Sequence, residues 1–150
     1  MKYFRNYYWF VFCVFFILSV TSCKKDDTST IEGQIRTNVE SGTWRITKFI
    51  DSGTDETSNF TGYNFDFGTS GSVTATNGTN SYTGTWSISD SNSDDDNLSD
   101  LDFNLNFNLT NNFQDLNDNW DFISQSENKI ELIDVSGGNG GTDYLTFVKN

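Results

Sequence analysis

Polar and apolar residues alternate along most of the chain after Ser41. The clearest run is 101–109, where leucine and phenylalanine at the odd positions are separated by aspartate and asparagine. The runs 63–67, 73–76 and 82–88 show the same alternation. Because successive side chains of a strand point to opposite faces, each run predicts a strand with one buried and one solvated face. Such strands are typical of antiparallel sheets, whereas parallel sheets favour continuous apolar runs.

The alternation is less regular at the start of this region. Trp44, Ile46 and Ile50 share one parity and predict the buried face of the first strand, but Lys48 belongs to the same set. Phe49 falls on the opposite parity, with Arg45. The pattern therefore predicts a strand over 44–50 with one polar residue among its apolar positions.

Three more strands complete the prediction, at 120–124, 129–135 and 143–149. The glycine-rich segment 137–141 is a flexible hairpin connection between the last two. Between the fifth and sixth strands, Phe113, Leu116 and Trp120 recur at helical spacing and predict a short helical turn. Eight strands in simple succession predict an all-β fold, an antiparallel up-and-down barrel over 41–150.

The interior of such a barrel holds either side chains or one small ligand. Aromatic side chains dominate the predicted inward positions, so a cavity there would be apolar and would suit a small apolar or amphipathic molecule. The alternative is a solid packed core. The candidate cavity residues are Tyr63, Phe65, Tyr82, Trp86, Phe103, Phe107 and Trp120.

The N-terminus has the pattern of a secretory signal peptide over 1–22. Lys2 and Arg5 precede an apolar run at 7–20, which is shorter than the roughly 20 residues of a membrane-spanning helix. The segment 18–23 resembles a bacterial lipobox, and this resemblance implies that Cys23 is lipidated and becomes the first residue. The polar segment 23–40 predicts a flexible tether, with a turn of helix as an option at 35–39.

The residues after Cys23 resemble a surface-export signal of flavobacterial lipoproteins. Lys24, Lys25, Asp26 and Asp27 follow the cysteine directly, and Lys25 with the two acids carries the resemblance. The resemblance implies an outer-membrane lipoprotein that faces outward, held to the membrane by its lipid. An ordinary hydrated spacer and a periplasmic location are the alternatives.

Gly42-Thr43-Trp44 at the start of the first strand resembles the Gly-x-Trp signature of lipocalins. Together with the signal, the tether and the meander of strands, it makes the chain similar to small lipocalin-like lipoproteins of Bacteroidota. The resemblance implies that Trp44 packs under a basic residue from the last strand at the base of the barrel, and Lys149 is the candidate. It also implies a binding module; a structural or adhesive surface module with a solid core is the alternative.

The composition removes several classes of function. The chain has 21 acidic and 9 basic residues, so binding to nucleic acid through phosphate neutralisation is not expected. It has no histidine, which excludes Ser–His–Asp catalysis and the usual zinc, copper and haem sites. We therefore expect no enzymatic activity and no cofactor, and the sequence names no protein partner.

The densest acidic stretch, 90–102, has one possible metal-binding pattern. Asp90, Asn92, Asp94 and Asp96 place oxygen ligands at alternate positions, as at the start of a calcium loop. The glycine and glutamate that an EF-hand requires are replaced by Asp95 and Leu101. A solvated hairpin loop is the favoured interpretation, and a Ca²⁺ site is the alternative.

Overall fold

The computed structural model describes residues 30–91, 97–135 and 140–150. These residues form one α-helix, α1 (Ile31–Glu40), followed by nine strands. The antiparallel eight-stranded barrel predicted from the sequence is confirmed, with one additional short strand. The strands are β1 (Thr43–Asp51), β2 (Thr54–Asp55), β3 (Asn64–Phe67), β4 (Ser72–Thr76), β5 (Ser81–Asp90), β6 (Leu101–Asn106), β7 (Asp118–Gln125), β8 (Lys129–Asp134) and β9 (Asp143–Lys149).

The barrel closes where the first long strand meets the last. From β3 onward each strand pairs with the next in antiparallel fashion, and β1 pairs with both β3 and β9. The closing register joins Trp44 to Lys149 and Ile50 to Tyr144. The extra strand β2 forms a small hairpin on the end of β1. We call the end where β1 begins and β9 ends the base, and the opposite end the mouth.

A bulge in β1 explains the irregular position of Lys48. The register with β9 shifts between Ile46 and Lys48, so one extra residue stands on β1 at this point. The parity of inward positions changes there, and Phe49 instead of Lys48 faces the core, where it is fully buried. Lys48 lies outside the barrel with its Nζ 4.5 Å from the centroid of the Tyr144 ring.

Helix α1 replaces the C-terminal part of the segment that was expected to be tether. The side chain of Thr30 accepts a hydrogen bond from Gly33 N (3.0 Å) and caps the first turn. Ile35 and Val39, one turn apart, are buried in the barrel's core cluster. Residues 31–40 are thus ordered structure on the base; the earlier part of the segment lies outside the described residues.

Aromatic side chains fill the barrel interior. The ring of Phe67 lies 5.5 Å from Trp86, 5.6 Å from Phe103 and 5.6 Å from Phe147, in edge-to-face contacts that cross from β3 to β5, β6 and β9. Phe103 also meets Phe122 of β7 at 5.9 Å. Side chains therefore occupy the centre of the barrel, as in a packed core.

Short 3₁₀-helices cover the mouth. Thr57–Phe60 follows β2, and Asn112–Leu116 lies between β6 and β7, at the position predicted for a helical turn. Phe60, Phe113 and Leu116 from these segments are buried. A further 3₁₀-helix, Leu98–Asp100, precedes β6 near the base.

Candidate functional site

The base of the barrel is sealed by Trp44 and Lys149. Trp44 is fully buried, and its Nε1 donates to the carbonyl oxygen of Val39 at 2.9 Å. Lys149 Nζ lies 4.7 Å from the centroid of the Trp44 ring and donates to Asn38 O at 3.1 Å and Ser41 Oγ at 3.0 Å. This pair connects β1, β9 and the end of α1 and leaves the base closed.

A second cation–aromatic contact holds the other side of α1. The Arg36 guanidinium lies 5.5 Å from the Trp86 ring and 2.8 Å from the Glu32 carboxylate. Trp86 Nε1 donates to Gly68 O at 3.0 Å. At the base, α1 is therefore held to β1, β5 and β9 by contacts with Trp44, Trp86 and Lys149.

Phe113 organises the mouth. Its ring centroid lies 5.3 Å from Phe60, 5.0 Å from Tyr63, 4.7 Å from Tyr82 and 5.1 Å from Phe107. These partners come from the 3₁₀-helix after β2, from residues beside β3, from β5 and from the end of β6. One buried ring in the Asn112–Leu116 turn thus joins several segments of the mouth and closes the interior from above.

A small cleft remains at the edge of this aromatic cluster, with a volume of about 150 Å³. That is below the 300–1,000 Å³ of typical ligand pockets and near the size of a cavity that admits one benzene-sized ring. The cleft is suited to a single ring instead of a long acyl chain. Its walls are Asn59, Tyr63, Tyr82, Asn111, Asn112 and Phe113.

The walls of the cleft combine apolar ring surface with hydroxyl and amide groups. The Tyr63 and Tyr82 rings lie 6.0 Å apart, and Tyr63 Oη accepts a hydrogen bond from Asn80 Nδ2 at 3.4 Å. Burial raises the pKa of the Tyr82 hydroxyl, and the neighbouring Tyr63 raises it further. The hydroxyl therefore stays neutral over the physiological range. The cleft offers neutral donors and acceptors beside an apolar wall.

The structure separates the seven predicted cavity residues into two groups. Tyr63 and Tyr82 line the cleft at the mouth. The other five are in the packed interior: Phe65, Trp86, Phe103, Phe107 and Trp120. The space beside Gly84 is occupied, because a Cβ on Gly84 would lie only 2.8 Å from Phe107 Cδ1.

The asparagines of the cleft were not among the candidate residues. Asn59 and Asn112 belong to the 3₁₀-helices of the mouth, and Asn111 caps the second of them by accepting from Phe113 N at 3.1 Å. Asparagine is common in turns for this local reason. The sequence signal that was available is the pair Asn111-Asn112 directly before Phe113, which was already assigned to a helical turn.

Several carboxylates gather on the opposite side of the mouth. Burial raises the pKa of Asp118, and the nearby Asp134 and Asp143 contribute in the same direction. Asp143 Oδ1 accepts from the backbone N of Ser52 at 2.6 Å. The six residues of the cleft carry no carboxylate. Within the described residues, no group of three or more potential ligands is arranged to hold a metal ion.

The remaining predicted sites fall largely outside the described residues. Asp90 ends β5 opposite Leu101, whereas Asn92, Asp94 and Asp96 lie beyond the description, as do Cys23 and the segment 24–27. The calcium loop, the lipid attachment and the export signal therefore stay predictions.

The fold and the cleft define a class: a closed antiparallel β-barrel with a filled interior and a small cleft at its mouth. This architecture is consistent with a non-catalytic binding module. No protein-family model matches the chain, and no curated protein matches it in sequence. Among solved structures, it is similar to a DUF4847 family protein from Bacteroides vulgatus, at 18% identity and a TM-score of 0.47, covering 75% of this chain and 94% of that one.

In the part of the chain that the structure describes, no helix combines the length and the apolar character that spanning a bilayer requires.

Proposed function

We propose that this chain is a lipid-anchored, lipocalin-like lipoprotein of the outer membrane that faces outward and binds a small one-ring amphipathic molecule in the cleft at its mouth. The observation that carries the binding proposal is the cleft itself, where Tyr63, Tyr82 and Phe113 form an apolar wall beside three asparagine side chains. Such a mixture of apolar surface and few polar groups is typical of small-molecule sites.

The anchor is supported by the sequence and by the position of α1. Cys23 follows a signal-like segment, and only seven peptide steps separate it from Thr30, the cap of α1. Fully extended, these steps reach at most about 25 Å. Because α1 packs on the base, a lipid on Cys23 holds the base toward the membrane and leaves the mouth on the far side. The cleft is then presented to the surroundings.

The anchor makes a direct prediction. Cys23→Ala removes the only sulfur that can carry the lipid, so incorporation of a labelled fatty acid into the protein should be abolished. Acyl chains contribute about 0.8 kcal/mol per buried CH₂, so the unlipidated protein should also leave the membrane fraction. Cys13→Ala is the matched control, since Cys13 lies in the segment that is removed, and its label should equal that of the wild type.

Equal labelling of the Cys23→Ala protein and the wild type would contradict the anchor. Digestion of intact cells by an added protease then tests the outward orientation. Degradation of the wild-type protein supports surface exposure, and protection of it until the outer membrane is opened supports the periplasmic alternative.

The ligand is expected to be small because the interior is filled. Rings from β3, β5, β6 and β9 meet in the centre of the barrel, so an elongated amphiphile has no channel to enter. A single ring with one polar substituent matches the cleft, since its face can lie on Phe113 while its polar group reaches the Tyr82 hydroxyl and an asparagine. Phenol and cyclohexanol are suitable probes, and decanoate is the elongated comparison.

Binding in the cleft should be visible in the side-chain amide NMR signals of Asn59, Asn111 and Asn112. Phenol or cyclohexanol should shift these signals in a saturable way, and decanoate should not. Tyr82→Phe removes one hydroxyl without changing the ring, and should weaken binding roughly fivefold, the effect of one hydrogen bond of about 1 kcal/mol. Tyr144→Phe, at a half-buried tyrosine of β9 away from the cleft, should have no effect.

The filled interior also favours a second candidate, a structural or adhesive surface module. If none of the three amides responds to any probe up to its solubility limit, the binding proposal is wrong and the solid-core module is the better description. A response to decanoate in the interior Trp86 and Trp120 signals would instead indicate a lipocalin-type cavity that opens in solution.

A further inference from the structure

The outer surface of β4, β5 and β6 carries no charged side chain over several rows of the sheet. The cross-strand rows are Ser72–Thr85–Asn106 and Ser87–Asn104, with Thr74–Thr83 beside them. We call this surface, together with Asn119 of β7, the neutral face. A surface without charged side chains is unusual in this chain, which has 21 acidic and 9 basic residues.

Acidic residues surround the neutral face without entering it. Asp66 of β3 stands opposite Thr74, and Asp102 of β6 pairs with Asp121 of β7 in the row beyond Asn104. Burial raises the pKa of Asp102, and Asp121 raises it further. This rim repels anionic partners, and the face itself carries no charge that could form an ion pair.

A shallow groove of about 400 Å³ runs over the neutral face. This volume is within the range of ligand sites. The groove lies between Ser70 and Gly71, in the loop that connects β3 to β4, and the outer side chains of β5 and β6. Its polar lining includes Thr85, Ser87, Asn104 and Asn106.

The strands beneath the groove limit what can bind there. β4 and β6 are paired on both sides, and β5 pairs with β4 over 81–85 and with β6 over 85–90, so along β4 and β6 the backbone cannot accept an added peptide strand. The large hydrophobic side chains most exposed in the described residues, Ile123 and Val135, lie elsewhere, so the face is not an apolar docking surface. Hydroxyl and amide groups that both donate and accept hydrogen bonds are what it presents.

We propose that the neutral face binds a strand of an uncharged polysaccharide. A neutral sugar chain presents hydroxyl groups that can donate to and accept from the serine, threonine and asparagine side chains of the face, and it is not repelled by the acidic rim. This site is separate from the cleft at the mouth. Under this proposal the protein binds a polymer at the neutral face and a small molecule in the cleft.

Affinity electrophoresis of the folded domain tests this proposal. Gels containing dextran, mannan, xylan or a mixed-linkage β-glucan should retard the wild-type protein in at least one case, and gels containing the anionic polysaccharide alginate should not. Asn106→Asp replaces an amide that donates and accepts by a carboxylate that only accepts, and should weaken retardation at least fivefold. Asn128→Asp makes the same replacement in the exposed turn between β7 and β8, and should be retarded like the wild type.

A second pair of variants separates hydrogen bonding from charge. Thr85→Val removes a hydroxyl from the groove while keeping a β-branched side chain that favours a strand, and should weaken retardation. Thr47→Val makes the same change on the outer side of β1 and should not. Tyr82→Phe should leave retardation unchanged, so failure of the cleft proposal and failure of this one are distinguishable.

The proposal is wrong if no neutral polysaccharide retards the wild-type protein, or if alginate retards it as strongly as the neutral polysaccharides do. It is also wrong if Asn106→Asp is retarded like the wild type while the two proteins have the same melting temperature. If Asn106→Asp has a lower melting temperature than the wild type, the comparison of Thr85→Val with Thr47→Val tests the proposal instead. Equal retardation of those two variants would also refute the assignment.

Discussion

Replacing Trp44 by alanine is expected to lower the free energy of unfolding by about 3–5 kcal/mol, the usual cost of deleting a large buried aromatic side chain. Trp44 is fully buried at the base and donates to Val39 O, so the variant loses packing and a hydrogen bond together. It also removes the ring on which Lys149 rests. Urea unfolding of the wild type and the variant, followed by circular dichroism, measures the difference.

The contact between Trp44 and Lys149 is tested by a double-mutant cycle. Lys149→Met keeps an unbranched side chain but removes the charge that meets Trp44, Asn38 O and Ser41 Oγ, and should cost about 1–2 kcal/mol. Because both single variants remove the same contact, their losses should not add. Lys129→Met, at an exposed lysine of β8, is the control and should add to Trp44→Ala. Additive losses for the Lys149 pair would show that the two side chains are not coupled.

Gly84→Ala is expected to destabilise the barrel by about 1–3 kcal/mol or more, as overpacking of a filled core does. A Cβ at this position would lie 2.4 Å from the Asn106 carbonyl oxygen and 2.8 Å from Phe107 Cδ1. Phe107 is held in place because the Asn117 side chain accepts from its N–H and donates to its carbonyl. The neighbouring backbone therefore has little freedom to move away. The change in unfolding free energy is again measured with urea.

Two controls identify the cause of that loss. Thr83→Ala shortens an exposed side chain on the same strand and should change stability by no more than about 0.5 kcal/mol. Phe107→Leu in the Gly84→Ala background removes one of the two close contacts, so the additional cost of the double variant should be less than the sum of the single costs. A Gly84→Ala protein as stable as the wild type would mean that Gly84 leaves unfilled space.

The predicted strands agree closely with the structure because alternation is a local property. In 101–109 every apolar residue needs the same face, so the register and the buried side follow from the sequence alone. In β1, alternation alone does not predict which residues are buried. The bulge between Ile46 and Lys48 depends on how β9 pairs beside it, and the alternation of β1 could not reveal it.

Helix α1 is a second element whose structure depends on tertiary contacts that the sequence pattern does not reveal. A ten-residue segment with three apolar positions, Ile31, Ile35 and Val39, is marginal as an isolated helix, so its composition was typical of a tether. The barrel base supplies the apolar surface and the Lys149 contact at Asn38 O that hold it. Tertiary packing, not helix propensity, decides its structure.

The sequence by itself determined the class of fold and the strand order, because these follow from periodicity. The candidate pair Trp44 and Lys149 came from the resemblance of Gly42-Thr43-Trp44 to the lipocalin signature. Only the tertiary structure decided that the interior is filled and that the cleft lies at the mouth. Inward-facing aromatic residues are compatible with a hollow or a solid barrel, and the choice depends on whether rings from facing strands interdigitate. Phe67, Phe103 and Phe147 do so, since each occupies the space that the others leave.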